Sequence, residues 1–219
     1  MSEMNVEQAR FNMVEQQIRT WEVLDQRVLD VLRRVPREAF VPERYRNLAF
    51  SDVRLPIGHG EFMMNPNLEG RLLQALEIGP QDRILEIGTG SGFVTACLAS
   101  LGGSVLSVDI HADFTEAAQG KLRSQGIQNV QFQTGDAAHG WGTQRYDAIA
   151  ITGSLPELAT AWQERLAIGG RLFAIVGDAP IMEAIVVRRI DEREWTQESL
   201  FETDFPRLVN AARPPAFVF

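Results

Sequence analysis

Stretches with helical periodicity alternate with short apolar runs along most of this chain. Residues 5–35 read as helical, with Val14, Gln17, Ile18 and Trp21 on one side of the first part. Asp25 is a cap-type residue ahead of a second helix, whose inner face takes Val28, Leu29, Val31 and Leu32 and which must stop before Pro36. The linker 35–42 mixes two prolines with apolar residues and predicts a packed crossing. Residues 50–60 read as an extended, glycine-containing loop, and Asn65-Pro66 opens a helix over 68–76. From there, strands are predicted at 84–87, 104–108, 130–134, 146–151 and 171–176. Helices are predicted at 93–99, 112–124 and 156–166, the last closed by Gly169-Gly170. Such alternation implies an α/β fold with a parallel, doubly wound sheet. Two further runs, 183–190 and 196–205, flank the charged turn 191–194 and predict a terminal antiparallel pair at the sheet edge.

Composition narrows this picture. With 219 residues, 45% of them hydrophobic, the chain is long enough for one sizeable core. A single compact unit is expected, with residues 1–66 as an N-terminal helical extension and 67–219 as the main domain. The formal net charge of −8 argues against general binding to nucleic acid or to an anionic membrane, since both need basic surface. Cys97 has no second cysteine to pair with and lies in an apolar helix, so a core position in a reducing compartment is expected. The first residues lack a basic segment followed by an apolar one, and no apolar run is long enough to span a bilayer. A cytoplasmic location is expected.

The candidate chemistry gathers on Arg83–Thr95. An apolar strand containing Glu86 runs through Gly88-Thr89-Gly90-Ser91-Gly92 into a helix, the arrangement by which open α/β sheets take hold of nucleotide-like ligands. Glycine lets the main chain approach a ligand closely there. A dinucleotide fingerprint would need glycine at position 93, which is Phe93. The next predicted strand ends in Asp109, followed by Ile110, and a carboxylate at that strand end can accept both hydrogen bonds of a ribose diol. The third ends at Gly135-Asp136-Ala137. No Lys or Arg lies between Glu86 and Leu101 to neutralise phosphate. A phosphate-free, positively charged nucleoside suits this acidic rim, which points to S-adenosylmethionine rather than NAD. Each acid or glycine alone is an ordinary cap or turn residue. Their joint order along successive strands carries the reading.

These motifs, in this order, resemble the protein-L-isoaspartate (D-aspartate) O-methyltransferases, a family of Rossmann-like class I methyltransferases. The resemblance covers nearly the whole chain. Its N-terminal signatures are similar to Met13–Arg19, Val35–Pro42 and Leu55-Pro-Ile-Gly58; its methyltransferase signatures are similar to Leu85–Gly92, Gly135-Asp136, Tyr146-Asp147 and Gly169–Leu172. The resemblance implies S-adenosylmethionine as methyl donor and an isoaspartyl-containing protein or peptide as partner, its free carboxylate being methylated as the first step of repair. Backbone at Gly88, Thr89, Gly90, Ser91 and Gly92 would then contact the methionyl part, with Glu86 aiding its ammonium. Asp109 would hold the ribose, Ile110 beside it would also contact the cofactor, and Asp136 with Ala137 would lie near the adenine. Residues 58–66 would supply acceptor contacts, making the N-terminal unit a helical cap plus acceptor-site loop.

That loop departs from the family pattern. A Thr-x-Ser-x-Pro segment is usual there, and this chain has Phe62-Met63-Met64-Asn65-Pro66; the usual upstream Ala-Tyr is Ala49-Phe50. Phe62, Met63 and Met64 are read either as a pocket remodelled for a more apolar acceptor or as core packing in a homologue that binds S-adenosylmethionine without catalysis. His59 and Glu61 are base candidates for a phenol or amine acceptor, and otherwise loop residues. His111 and His139 are expected at the surface near the cofactor edge. No residue cluster has zinc spacing, and no metal is expected.

Overall fold

The computed structural model describes residues 5–211; the outer ends of the two expected segments, residues 1–4 and 212–219, lie outside it. The Asn5 side chain accepts from the Gln8 backbone and opens helix α1, Val6–Asn12. The winding then widens over Met13–Ile18, tightens over Arg19–Trp21 and breaks at Glu22, whose φ is 61°. Helix α2, Gln26–Arg34, follows with Asp25 as its cap and Val28, Leu29, Val31 and Leu32 buried, as the periodicity predicts. Trp21 does not face inward: it is 47% exposed and its ring meets Phe201 edge-on. A wide turn takes more residues per revolution, so every later side chain is rotated away from its α-helical position.

The stretch expected as a loop contains a small antiparallel hairpin, β1 (Leu55–Gly58) and β2 (Glu61–Met63). Helix α3 (Pro66–Ala75) leads to β3 (Arg83–Ile87), α4 (Phe93–Leu101), β4 (Ser104–Asp109), α5 (Ala112–Ser124) and β5 (Val130–Thr134). The chain then crosses to β6 (Tyr146–Leu155), a short α6 (Thr160–Glu164) and β7 (Leu166–Asp178). The helix expected over 156–166 is thus reduced to five residues. Leu166 pairs with Tyr146 in parallel register, so the chain is already extended there and Gly169-Gly170 fall inside β7 instead of closing a helix. Strands β8 (Ile181–Asp191) and β9 (Glu194–Thr203) form the terminal antiparallel pair.

The seven-stranded sheet has the order β5-β4-β3-β6-β7-β8-β9. Strands β5 to β7 are parallel. The chain winds outward from β3 to β5 and returns to β6 on the other side of β3. A crevice opens at the carboxyl ends of β3 and β6, where open sheets bind ligands. One buried cluster joins Met13, Leu29, Phe40 and Met63 to Leu72, Phe93 and Phe173, so the N-terminal segment shares its core with the sheet. Cys97 is buried in α4, and burial pushes its thiol up. Among the described residues no helix is long and apolar enough to cross a membrane.

Candidate functional site

Strand β3 delivers the chain to the crevice at Gly88, whose N–H donates to the Val108 carbonyl of β4 at 2.8 Å. The Thr152 hydroxyl from β6 lies 2.7 Å from the Gly88 carbonyl and would meet any Cβ at position 88. Gly88 has φ 96°, so this tight crossing excludes a side chain on both counts. Gly90 then turns back toward β4, where its N–H donates to Asp109 Oδ2 at 2.9 Å; the His111 N–H donates to Oδ1 at 2.9 Å. These two bonds fix Asp109 with one acceptor direction on each oxygen still available, as a diol requires.

The resulting cavity encloses about 610 Å³ of empty space, the solvent at its open mouth included. Gly88, Gly90 and Thr152 lie at one end, Asp109, Ile110 and His111 in the middle, and Asp136, Ala137 and Ala138 at the other end. Asp136 accepts from the Ala138 backbone at 3.0 Å and from Asn210 at 2.8 Å, and these bonds hold its carboxyl below the usual range. Residues 205–209 form the remaining wall. This strap is anchored by Ser154, which donates to the Pro206 carbonyl and accepts from the Leu208 N–H.

Thr89 and Ser91 do not face this cavity. The Thr89 hydroxyl lies 2.6 Å from Ser107 Oγ, and Ser91 Oγ accepts from the Phe93 N–H. Both residues line a second, smaller recess beneath the glycine loop. Gly92 lines neither space: a Cβ there would meet Ala118, so this glycine serves helix packing between α4 and α5.

Glu86 also departs from its expected role at the methionyl ammonium. It is fully buried, lines neither space, and its Oε2 accepts from Thr95 at 2.5 Å and Ser107 at 2.6 Å. Burial raises its pKa from 4.5 to about 8, against the lowering effect of those two hydroxyls. The native state therefore holds a proton that the unfolded chain releases, and this contribution to stability fades as pH rises from about 5 to 8. Glu86→Gln is expected to flatten that decline, by on the order of a few kcal/mol at the alkaline end. Urea midpoints measured across this pH range check it.

The hairpin β1–β2 closes the cavity from the N-terminal side. His59, at its tip, stacks on His111 with ring centroids 4.1 Å apart and lies 2.9 Å from Asp113 Oδ2. It clamps the hairpin to α5 and lies outside the cavity. His111 is half-buried in this clamp and lines the cavity, so it is not the surface position expected; His139 is exposed. Glu61 lines the cavity near His111, and partial burial raises its pKa. Phe62 is 38% exposed and borders both the cavity and the recess. Met63 and Met64 are core residues, although both also line the recess.

Three parts of these walls gave no sequence signal strong enough to find them: Thr152, the strap 205–209, and Glu69, which lines the recess. Thr152 is one polar residue after an apolar run, Glu69 is one acid in a helix, and the strap's anchors Ser154 and Met182 are distant in sequence.

The sequence profile of the protein-L-isoaspartate(D-aspartate) O-methyltransferase family matches residues 8–212. Protein-L-isoaspartate O-methyltransferase 1 of Rhodopseudomonas palustris is 39% identical over 202 residues, covering 91% of this chain and 82% of that protein. Protein-L-isoaspartate O-methyltransferase 2 of Pelobacter propionicus is 36% identical over 209 residues, covering 94% and 93%. In fold, the chain is similar to the crystal structure of a Plasmodium falciparum protein described as a protein-L-isoaspartate O-methyltransferase in complex with S-adenosyl-L-homocysteine. That TM-score is 0.77 at 19% identity, covering 94% of this chain and 99% of that one.

Proposed function

Since this chain belongs to the protein-L-isoaspartate(D-aspartate) O-methyltransferase family, we propose that it transfers a methyl group from S-adenosylmethionine to the free carboxylate of an isoaspartyl residue in a protein or peptide. The observation that carries the reading is the cavity over the β3–β6 crevice, with Asp109 pinned by the Gly90 and His111 amides. In this reading Asp109 accepts the two ribose hydroxyls, Ile110 packs beside them, and Asp136 with Ala137 flanks the adenine. The backbone of 88–91 lies against the methionyl end. S-adenosylmethionine, when bound, supplies a methyl group activated by a sulfonium charge, and the acids Glu61 and Asp109 suit that charge.

The acceptor needs little from the protein beyond placement. A carboxyl group with a pKa of about 3.9 is already ionised at neutral pH. No general base is required, so an apolar side chain at Phe62 is consistent with the chemistry. What the chain must do is orient the acceptor and exclude water. The hairpin and the strap provide those walls.

Phe62 and Met64 favour a second reading, in which the acceptor is more apolar than an isoaspartyl peptide. Neither side chain offers the hydroxyl usual at its position, and an unpaired carboxylate enters an apolar pocket at high cost. Phe62→Thr separates the two readings. On the first, the variant keeps its affinity for S-adenosylhomocysteine, and its KM for an isoaspartyl peptide falls by about tenfold, the worth of one hydrogen bond to a charged group. On the second, neither wild type nor variant methylates that peptide.

A further inference from the structure

An amino-acid end carries an ammonium, and the expected partner for it, Glu86, is sealed away from both spaces. The recess beneath the glycine loop contains another acid. It is walled by the backbone of Gly88 and Gly90 with Phe62, Met64, Thr152 and Glu69. Glu69 is the only ionisable side chain among its described lining residues. It sits in the first turn of α3 and is 1% exposed. Its Oε2 accepts from Arg37 Nε at 2.9 Å and its Oε1 from Arg37 Nη2 at 3.1 Å. Arg37, wholly buried, also donates to the carbonyls of Ala49 and Met64.

This pair staples the N-terminal segment to α3, which accounts for Arg37 and its four bonds. It does not require the carboxylate to border an open recess next to the glycine loop. A carboxylate has about four acceptor directions, and Arg37 uses two of them. The remaining ones give the recess a fixed anionic acceptor whose orientation the guanidinium sets in advance. The acids of the main cavity, Glu61, Asp109 and Asp136, do not line this recess.

We propose that Glu69 is the group that receives the methionyl ammonium of S-adenosylmethionine, with Arg37 as its positioning residue. The proposal rests on the methyltransferase reading. Two ligands separate them: S-adenosylhomocysteine has the amino-acid end, and 5′-methylthioadenosine has the same nucleoside thioether without it. Calorimetric titration of both into the wild-type protein and Glu69→Gln is the test. Because Glu69→Gln leaves Arg37 buried without a counterion, the double variant Arg37→Met/Glu69→Met is titrated alongside, both charges being removed together.

In both variants the affinity for S-adenosylhomocysteine is expected to fall about tenfold or more, while 5′-methylthioadenosine binds within about twofold of wild type. Equal weakening of both ligands, or no change in either, overturns the assignment of Glu69. Absence of S-adenosylhomocysteine binding in the wild-type protein overturns the cofactor reading as well.

Discussion

Asp109→Ala is expected to weaken S-adenosylhomocysteine binding by about a hundredfold or more. Two hydroxyls donate to one ionised carboxylate in the proposed complex, and hydrogen bonds to charged groups are worth about 1.5–3 kcal/mol each, with 1.4 kcal/mol to each factor of ten. Asp109 is buried at the end of β4 and held by the Gly90 and His111 amides. Its loss therefore also loosens the turn that shapes the glycine loop. Asp109→Asn keeps one acceptor oxygen and is expected to fall between alanine and wild type. The same calorimetric titration, paired with unfolding midpoints of the ligand-free proteins, checks the prediction. Equal affinity in wild type and Asp109→Ala contradicts the ribose assignment.

The largest effect on stability is expected from Arg37→Met. The substitution leaves the Glu69 carboxylate buried without its partner and also strips the Ala49 and Met64 carbonyls of a donor. Breaking a buried ion pair in this way costs about 3–5 kcal/mol. Burial already raises the pKa of Glu69 despite the lowering effect of Arg37, so without the guanidinium the group is driven further toward its protonated form. Arg37→Met/Glu69→Met removes both charges at once and is expected to lose much less stability than the single variant. Urea midpoints at constant slope measure the difference.

The parallel sheet was legible because its central strands are short apolar runs, two of which end at a glycine or an acid, Ile87-Gly88 and Val108-Asp109. The glycine loop and Asp109 could be placed because strand order alone brings those residues to one edge. Legibility failed where the determining contact is remote or the geometry departs from a regular period. Trp21 was misplaced because the wide turn at Met13–Ile18 changes the phase of everything after it. The helix near Pro156 was overextended because Leu166 is claimed by Tyr146, twenty positions away.

The two buried acids show the same limit within the site. Glu86 stands beside the glycine motif in sequence but points into a sealed network with Thr95 and Ser107. Glu69 lies well before the motif and yet borders the recess under it. Only the packing of α3 against the N-terminal segment distinguishes them, and no local pattern encodes that packing. The strap from Phe205 to Val209 is similar: its anchor, Ser154, is remote in sequence.

The most direct test of the central claim is methyl transfer from labelled S-adenosylmethionine to an isoaspartyl peptide, run beside the same peptide with a normal aspartyl residue. The account predicts label in the isoaspartyl peptide and none in its aspartyl counterpart. Tight S-adenosylhomocysteine binding with no label in either peptide would contradict it, and would make Phe62 and Met64 the walls of a site for another acceptor.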